Sequence, residues 1–382
     1  MRRRILYVQF GDPAFYPPIE HSSGILADRG WNVVLLGTDA FGDQKLKLPS
    51  HPRIRAKNLS LVRAGGVYGG LYIFFFLWAL FWTCSWRPEW IYVSDPLALP
   101  TSWLIRKLTG VRMIYHEHDA PNAQSVRSRF MRMVLACREI LGREVELCIV
   151  PQHERLVDFL KATGRMLPTL CVWNCPRLEE VECDNNSKPG SELIIWYHGS
   201  INGSRVPPEL VVAASRFHGA VRLRLAGYET AGSAGYVEKL INVAAKNGTP
   251  GIIEFLGSIP YRKDLLKAAS KADVALSLMP KTSENINMRH MVGASNKPFD
   301  CMASGLPLLV SDLPEWTSTF VEPCYALACD PTDVDSIETQ LRWYLDHPVE
   351  RREMGRRCAD KIRHGWNYDT VFKDVLTTLE CC

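Results

Sequence analysis

Short apolar runs alternate along this chain with longer stretches of helical periodicity. In the first half the runs are Ile5–Phe10, Asn32–Gly37, Trp90–Ser94, Arg112–Tyr115 and Leu147–Val150. A strand covered by helices on both faces has no polar side, so it reads as a continuous apolar run rather than an alternation. Helix spacing fills the intervals Ile19–Arg29, Leu71–Trp86, Leu99–Leu108 and Val126–Leu141. Strand and helix in strict alternation predict a doubly wound parallel sheet. From Asn174 to Glu192 the texture turns polar and rich in Asn, Pro and Ser, which predicts a linker over 176–192. A second series then opens with strands Leu193–Tyr197, Val221–Ala226, Ile252–Leu256, Val274–Leu278 and Leu306–Val310. Its helices are Pro208–Phe217, Gly235–Lys246, Tyr261–Ala269, Pro298–Ala303, Asp333–Leu345 and Val349–His364, with an amphipathic Tyr368–Leu379 after Trp366. The fold class is therefore α/β, with two doubly wound domains over 1–175 and 193–365 facing a central cleft. No 20–50-residue period recurs, which excludes repeat architectures.

One stretch breaks the ordinary pattern. Ala64 to Trp86 contains no charge, and its core reads LYIFFFLWALFWTCSW. The glycines at 65, 66, 69 and 70 place the helix start near Leu71, leaving ~24 Å of helix to Trp86 at ~1.5 Å per residue. That falls short of the ~20 residues a membrane span needs. Two readings stay open, a helix buried against the sheet and a helix partly sunk in a membrane interface.

Length and composition narrow the class. At 382 residues the chain has room for two cores, and 47% hydrophobic with 23% charged residues is an ordinary globular balance. A net charge of +4 with signs mixed along the chain argues against a nucleic-acid binder. The twelve cysteines lack CxxC spacing, so neither a zinc site nor a disulfide framework is expected, and reduced thiols in the cytoplasm are. Cys381–Cys382 reads as a frayed tail. The basic start MRRRILYVQF has too short an apolar run for a signal peptide and reads as the first strand.

Candidate chemistry concentrates at the strand ends. Gly293 to Pro314, GASNKPFDCMASGLPLLVSDLP, is a polar loop that opens a short helix carrying Lys297 and Asp300. Free amides near Ser295 and Asn296, the positive helix end, a lysine and a carboxylate within one turn suit a sugar nucleotide. After strand Leu193–Tyr197, the stretch His198 to Arg205 includes Gly199 and Ser200, small enough for backbone to approach a phosphate, and Arg205 as a forked donor. An ordinary strand–helix turn is the competing reading there, as it is for Gly257 and Ser258 after the third strand of this domain. Glu284 to Arg289 is expected to rim the same pocket. In the first domain, Tyr115 to Pro121 brings His116 and His118 to one face of an extended run and Glu117 and Asp119 to the other. A metal site would need further ligands that the spacing does not offer.

Together the run Asn296-Lys297-Pro298-Phe299-Asp300, the Met302 to Pro307 stretch MASGLP and the His118 strand resemble the family-four retaining glycosyltransferases of the GT-B type. The resemblance covers the second half with specific motifs, and the first half by strand order, His118 and Trp90–Pro100. It implies two Rossmann-like domains, with segment 366–382 crossing back to complete the first. Asp300 would accept from the ribose hydroxyls, and Gly199, Ser200, Gly257, Ser258, Ser295 and Asn296 would line the nucleotide. Arg205 and Lys297 would stabilise the departing diphosphate, and His118, oriented by Asp119, would lie beside the transferred sugar. Two positions depart from the family: Ser200 stands where an arginine is common, and Val292 where a glutamate is. Pro17 and Pro18 replace a glycine pair on the acceptor side, so the acceptor does not follow from the family. The expected activity is metal-independent, retaining transfer from a nucleotide-diphosphate sugar to a hydroxyl of a glycan or lipid-linked acceptor in cell-surface polysaccharide or glycoconjugate synthesis. No cofactor beyond the donor is implied, and the expected location is cytoplasmic, peripheral to the membrane if Leu71–Trp86 touches it. Two alternatives are an inverting transferase or epimerase, with His21 or Asp12 as base, and a catalytically silent subunit that binds nucleotide sugar or scaffolds a partner.

Overall fold

The computed structural model describes residues 3–39, 46–60, 68–121, 128–181 and 192–381. Gly65 and Gly66, the helix onset expected at Val126, most of the 176–192 linker and Cys382 lie outside the described residues.

The first domain runs β1 (Arg4–Gln9), α1 (Pro17–Asp28), β2 (Asn32–Thr38), β3 (Ile54–Leu59), α2 (Tyr68–Trp86), β4 (Trp90–Ser94), α3 (Leu99–Thr109), β5 (Arg112–His116), α4 (Arg129–Glu144), β6 (Leu147–Val150), α5 (His153–Thr163) and β7 (Thr169–Cys171). Its seven strands order β3-β2-β1-β4-β5-β6-β7 and pair in parallel. The second domain runs β8 (Leu193–Ile201), α6 (Pro208–Ser215), β9 (Val221–Glu229), α7 (Tyr236–Lys246), β10 (Ile253–Gly257), α8 (Arg262–Ala269), β11 (Val274–Ser277), α9 (Ile286–Arg289), α10 (Lys297–Ala303), β12 (Leu308–Ser311), α11 (Pro314–Trp316), β13 (Ala326–Cys329), α12 (Val334–Asp346) and α13 (Pro348–His364). Its sheet orders β10-β9-β8-β11-β12-β13, again all parallel. The chain closes with α14 (Tyr368–Val371) and α15 (Lys373–Cys381).

Alternate residues of each strand feed separate cores, as a period of two requires. Ile5, Tyr7, Val33, Leu35, Trp90 and Tyr92 pack with Ile19 and with Tyr368, Phe372, Val375, Leu376 and Leu379 of the terminal helices. Leu6, Val8, Leu36, Ile91 and Val93 face Phe75 of α2, Ile105 of α3 and Leu141 of α4. In the second domain Ile195, Leu223 and Leu276 pack under α6, α7 and α12, while Trp196, Ala275 and Leu308 lie against Phe299 of α10 and Ile362 of α13.

Several elements differ from expectation. Edge strand β3 carries exposed Arg55, Lys57 and Asn58, a pattern that blocks further pairing but hides the strand from an apolar search. Strand β7 has only three residues and β13, Ala-Leu-Ala-Cys, lacks a branched apolar run, so neither stands out, and α5 and α9 lie outside the expected elements. Helix α2 begins at Tyr68 rather than Leu71, taking in Gly69 and Gly70 at a cost of about 1 kcal/mol each. The Tyr72 hydroxyl in that first turn donates to Leu97 O at 2.7 Å and ties it to the domain, which offsets the cost. Strand β8 runs on to Ile201, so Gly199 and Ser200 are strand residues and the turn begins at Asn202.

Candidate active site

In both sheets the strand order reverses beside the first strand, between β1 and β4 and between β8 and β11. Ligands of doubly wound sheets sit beyond the carboxyl ends of such strands. The two reversal points meet across the cleft.

On the second domain's side, Gly199 has φ +113°, and a Cβ there would collide with Lys297 Cε, so glycine lets the lysine lie along the strand end. Lys297 opens α10 and is partly buried. Burial, then the nearby Arg205 cation, lowers its ammonium to about 8, while Asp300 and Asp119 oppose the shift. Arg205 is held by thioethers, its Nη1 against Met279 Sδ and its Nη2 3.5 Å from Met288 Sδ. Sulfur is a weak acceptor, so this guanidinium keeps its capacity for an anion. Among the other expected residues, Ser200 O accepts from the Tyr197 hydroxyl at 2.6 Å. Ser258 Oγ lies 3.4 Å from Gly227 O, next to Gly257 at φ +67°. The Ser295 amide already donates to Met291 O at 2.8 Å, and Asn296 Nδ2 donates to Asp300 Oδ2 at 2.7 Å.

Asp300 itself is 0% exposed. Arg262 of α8 forks onto both its oxygens, with Nη1 to Oδ2 at 2.9 Å, and His198 Nε2 lies 3.4 Å away. Burial alone would raise this carboxyl, and Arg262 with His198 more than offsets that, so it stays ionised. The network continues out of the domain: Arg262 Nε donates to Glu180 Oε1 at 2.5 Å, and Glu180 Oε2 lies 3.0 Å from Nε2 of buried His21 on α1. The carboxylate expected on the ribose is thus part of an ion-pair network that runs through Glu180 to the first domain, where His21 faces Glu180. Asp12 caps its own turn, accepting from Ala14 N at 3.0 Å.

The first domain's edge is built differently. The His116 and His118 rings lie 4.0 Å apart, with Tyr92 Oη 2.6 Å from His116 Nδ1 and Ser94 Oγ 2.9 Å from His118 Nε2. Burial drives both imidazoles down, His118 to about 3, so both are neutral near pH 7. Glu117 turns inward, accepting from Tyr115 Oη at 2.8 Å and from Arg138 Nε and Nη2 at 2.5 and 2.7 Å. That buried fork anchors the segment. Asp119 turns outward with a side chain 68% exposed, and Arg155 Nη1 donates to its Oδ1 at 3.1 Å and to His118 O at 3.0 Å. Asp119 also lies within electrostatic reach of Lys297 and Arg205 across the cleft.

Arg155, on the unanticipated α5, also bridges the domains by donating to Asn287 O at 2.5 Å and His290 O at 2.8 Å. Asn287 and Ala120 exchange two further hydrogen bonds at 2.9 and 2.8 Å. The signals for α5 were present, with Gln152 accepting at its amino end from Arg155 N and Gly164 closing it at φ +64°. Among the described residues no group of three or more His, Cys, Asp or Glu is arranged to hold a metal ion.

Residues 208–377 match the family model Glycosyl transferase-like. No curated protein matches the chain by sequence. Among solved structures, sucrose-phosphate synthase from Thermosynechococcus elongatus superposes with TM-score 0.74 at 15% identity, covering 100% of this chain and 99% of that one. Anabaena HepE in complex with UDP and glucose gives 0.72 at 13% identity, with both chains covered at 100%. WaaG, a glycosyltransferase involved in lipopolysaccharide biosynthesis, gives 0.63 at 13% identity, covering 98% and 99%. At such identities the likeness speaks for the fold. The chain has the two-domain GT-B fold of glycosyltransferases, and its second domain, with the helices after it, carries the match to the Glycosyl transferase-like family.

Proposed function

We propose that this chain is a glycosyltransferase that takes a sugar from a nucleotide-diphosphate donor held by the second domain and passes it, with retention, to a hydroxyl presented by the first. The observation that carries the reading is the convergence of Lys297, Arg205 and the Gly199 strand end at one sheet reversal, opposite neutral His118 at the other. In the reaction the bond from anomeric carbon to phosphate oxygen breaks and its electron pair stays on the diphosphate. The acceptor oxygen bonds to the same face of that carbon, and its proton passes to the departing phosphate oxygen. Lys297 and Arg205 offset the charge that develops on the leaving group, which preorganised cations do at little reorganisation cost. A neutral His118 can accept from or donate to a sugar hydroxyl without competing for the phosphates. UDP as the nucleotide draws support from HepE bound to UDP and glucose.

The finer parts of the reading are a lipid-linked or glycan acceptor and a cytoplasmic, membrane-peripheral location. Their support is the outer face of α2, where Ile73, Phe74, Leu77 and Phe81 are 62, 56, 53 and 64% exposed beside exposed Leu108 and Met133, with Arg129 and Arg132 at the rim. Such a face suits an anionic lipid surface. No helix among the described residues is long and apolar enough to cross a membrane. The saturated Asp300 favours one rival, a silent subunit. Turnover of a panel of UDP-, GDP- and ADP-sugars decides: consumption of one supports the transferase, and inertness toward all supports the rival.

A further inference from the structure

Asp95 is the residue after β4, at the reversal point of the first sheet, and its backbone sits at φ 69°, ψ 157°. That combination is essentially reserved for glycine, and a side chain held there is paid for by the surrounding fold. Two hydrogen bonds enforce it, Asp95 N to His116 O at 3.0 Å and Ala98 N to Asp95 O at 3.2 Å. The result turns a carboxylate into the space between Tyr16, which hydrogen-bonds it, and Asp119, whose amide lies 3.4 Å from Asp95 Oδ1. His118 is adjacent through Ser94, and its ring packs 5.1 Å from that of Tyr16. The first turn of α2 closes the same corner, since the Tyr72 hydroxyl bonds Leu97 O two residues further on.

Resting on the transferase reading, we infer that Asp95 is the acceptor-side catalytic carboxylate: it accepts a hydrogen bond from the attacking hydroxyl and holds that oxygen toward the anomeric carbon. It does not remove the proton, which leaves with the phosphate, so no base beyond the leaving group is needed. The strained backbone is what aims it, because an unstrained residue after β4 would direct the side chain elsewhere. Its ionisation supports the role without carrying it. Burial first, then the Asp119 charge, raises the carboxyl to about 7 against the opposing bonds from Tyr16 and the Asp119 amide, with Glu117 adding to the rise. The ionised form that accepts a hydroxyl is thus the one gained as pH passes through neutrality. Tyr16, His118, Asp119, Glu117 and the Arg155 partner of Asp119 are titratable or charged groups around it.

The test uses the full chain with UDP-glucose as donor probe and two acceptors, water and octyl β-glucoside. Asp95→Asn is expected to lower transfer to octyl glucoside and donor hydrolysis at least ~30-fold each while UDP affinity stays within ~3-fold of wild type. Asp95→Gly is expected to lose transfer equally and to raise Tm by a few degrees through relief of the strained backbone. Transfer within ~3-fold of wild type in Asp95→Asn overturns the inference, as does an equal loss of UDP affinity in that variant or a lower Tm in Asp95→Gly. A wild type that consumes no nucleotide sugar overturns the transferase reading itself, an outcome separate from any behaviour of the variants.

Discussion

The two sheet reversals face one another with the same topology and opposite chemistry. The second domain's edge is cationic and partly buried: Lys297 lies against a glycine strand end and Arg205 rests on thioethers. The first domain's edge combines neutral imidazoles with the carboxylates of Asp95 and Asp119. Charge suits a diphosphate, whereas hydrogen-bond acceptors suit hydroxyls, and this contrast is the support for the proposed division into donor and acceptor edges. Each edge also has its own buried arginine fork. Arg138 on Glu117 stays within the first domain, but Arg262 on Asp300 continues through Glu180 to His21 and ties the second domain's edge to α1 of the first.

The largest effect expected from breaking this contrast is on stability. Asp300→Ala leaves Arg262 enclosed without its main partner and should cost ~3–5 kcal/mol in urea unfolding. A cost below ~1 kcal/mol would mean that the fork is not a structural tie. Next, Lys297→Ala should lower kcat for donor turnover by ~10²–10³-fold, the loss typical of one preorganised donor to a developing anion. Unchanged turnover would remove the lysine from the donor edge.

Why these predictions need the structure is a matter of which residues announce themselves. Strands Trp90–Ser94 and Leu147–Val150 occur where their apolar runs lie, because burial on both faces leaves no alternative sequence pattern. Lys297, Arg205 and His118 were legible as residue types at strand ends, where doubly wound sheets gather ligands. The Arg262 fork was not, since 38 positions separate it from Asp300 and only tertiary packing aligns them. Nor was the conformation of Asp95, which no local pattern signals, or the bridge from Arg155 to Asn287 and His290, which only tertiary packing creates.

Smaller effects sharpen the comparison through pH. His118 has a folded pKa of about 3 against an ordinary 6.5, so the unfolded chain takes up a proton that the folded chain refuses. Stability should therefore be lost as pH falls from about 6.5 toward 3, at up to ~1.4 kcal/mol per pH unit. Asp95 acts in the opposite sense, because its folded carboxyl is raised from 3.8 to about 7 and stability falls as pH rises across that window. Thermal unfolding from pH 4 to 7 should accordingly show a flatter acid loss in His118→Phe and a steeper one in Asp95→Asn. The reverse pattern would contradict the burial of both groups. The smallest effect belongs to the surface: Phe81→Ser and Ile73→Ser should change stability by no more than ~0.5 kcal/mol, yet weaken sedimentation with vesicles containing phosphatidylglycerol several-fold. Binding unaltered by both changes would remove the outer face of α2 from membrane contact.

The most direct test of the division into a cationic donor edge and a hydroxyl-binding acceptor edge is proton NMR of nucleotide-sugar turnover by the wild type. Release of nucleoside diphosphate with a glycoside product of the donor's own anomeric configuration is expected. A product of inverted configuration, or no consumption of any sugar nucleotide, would contradict it.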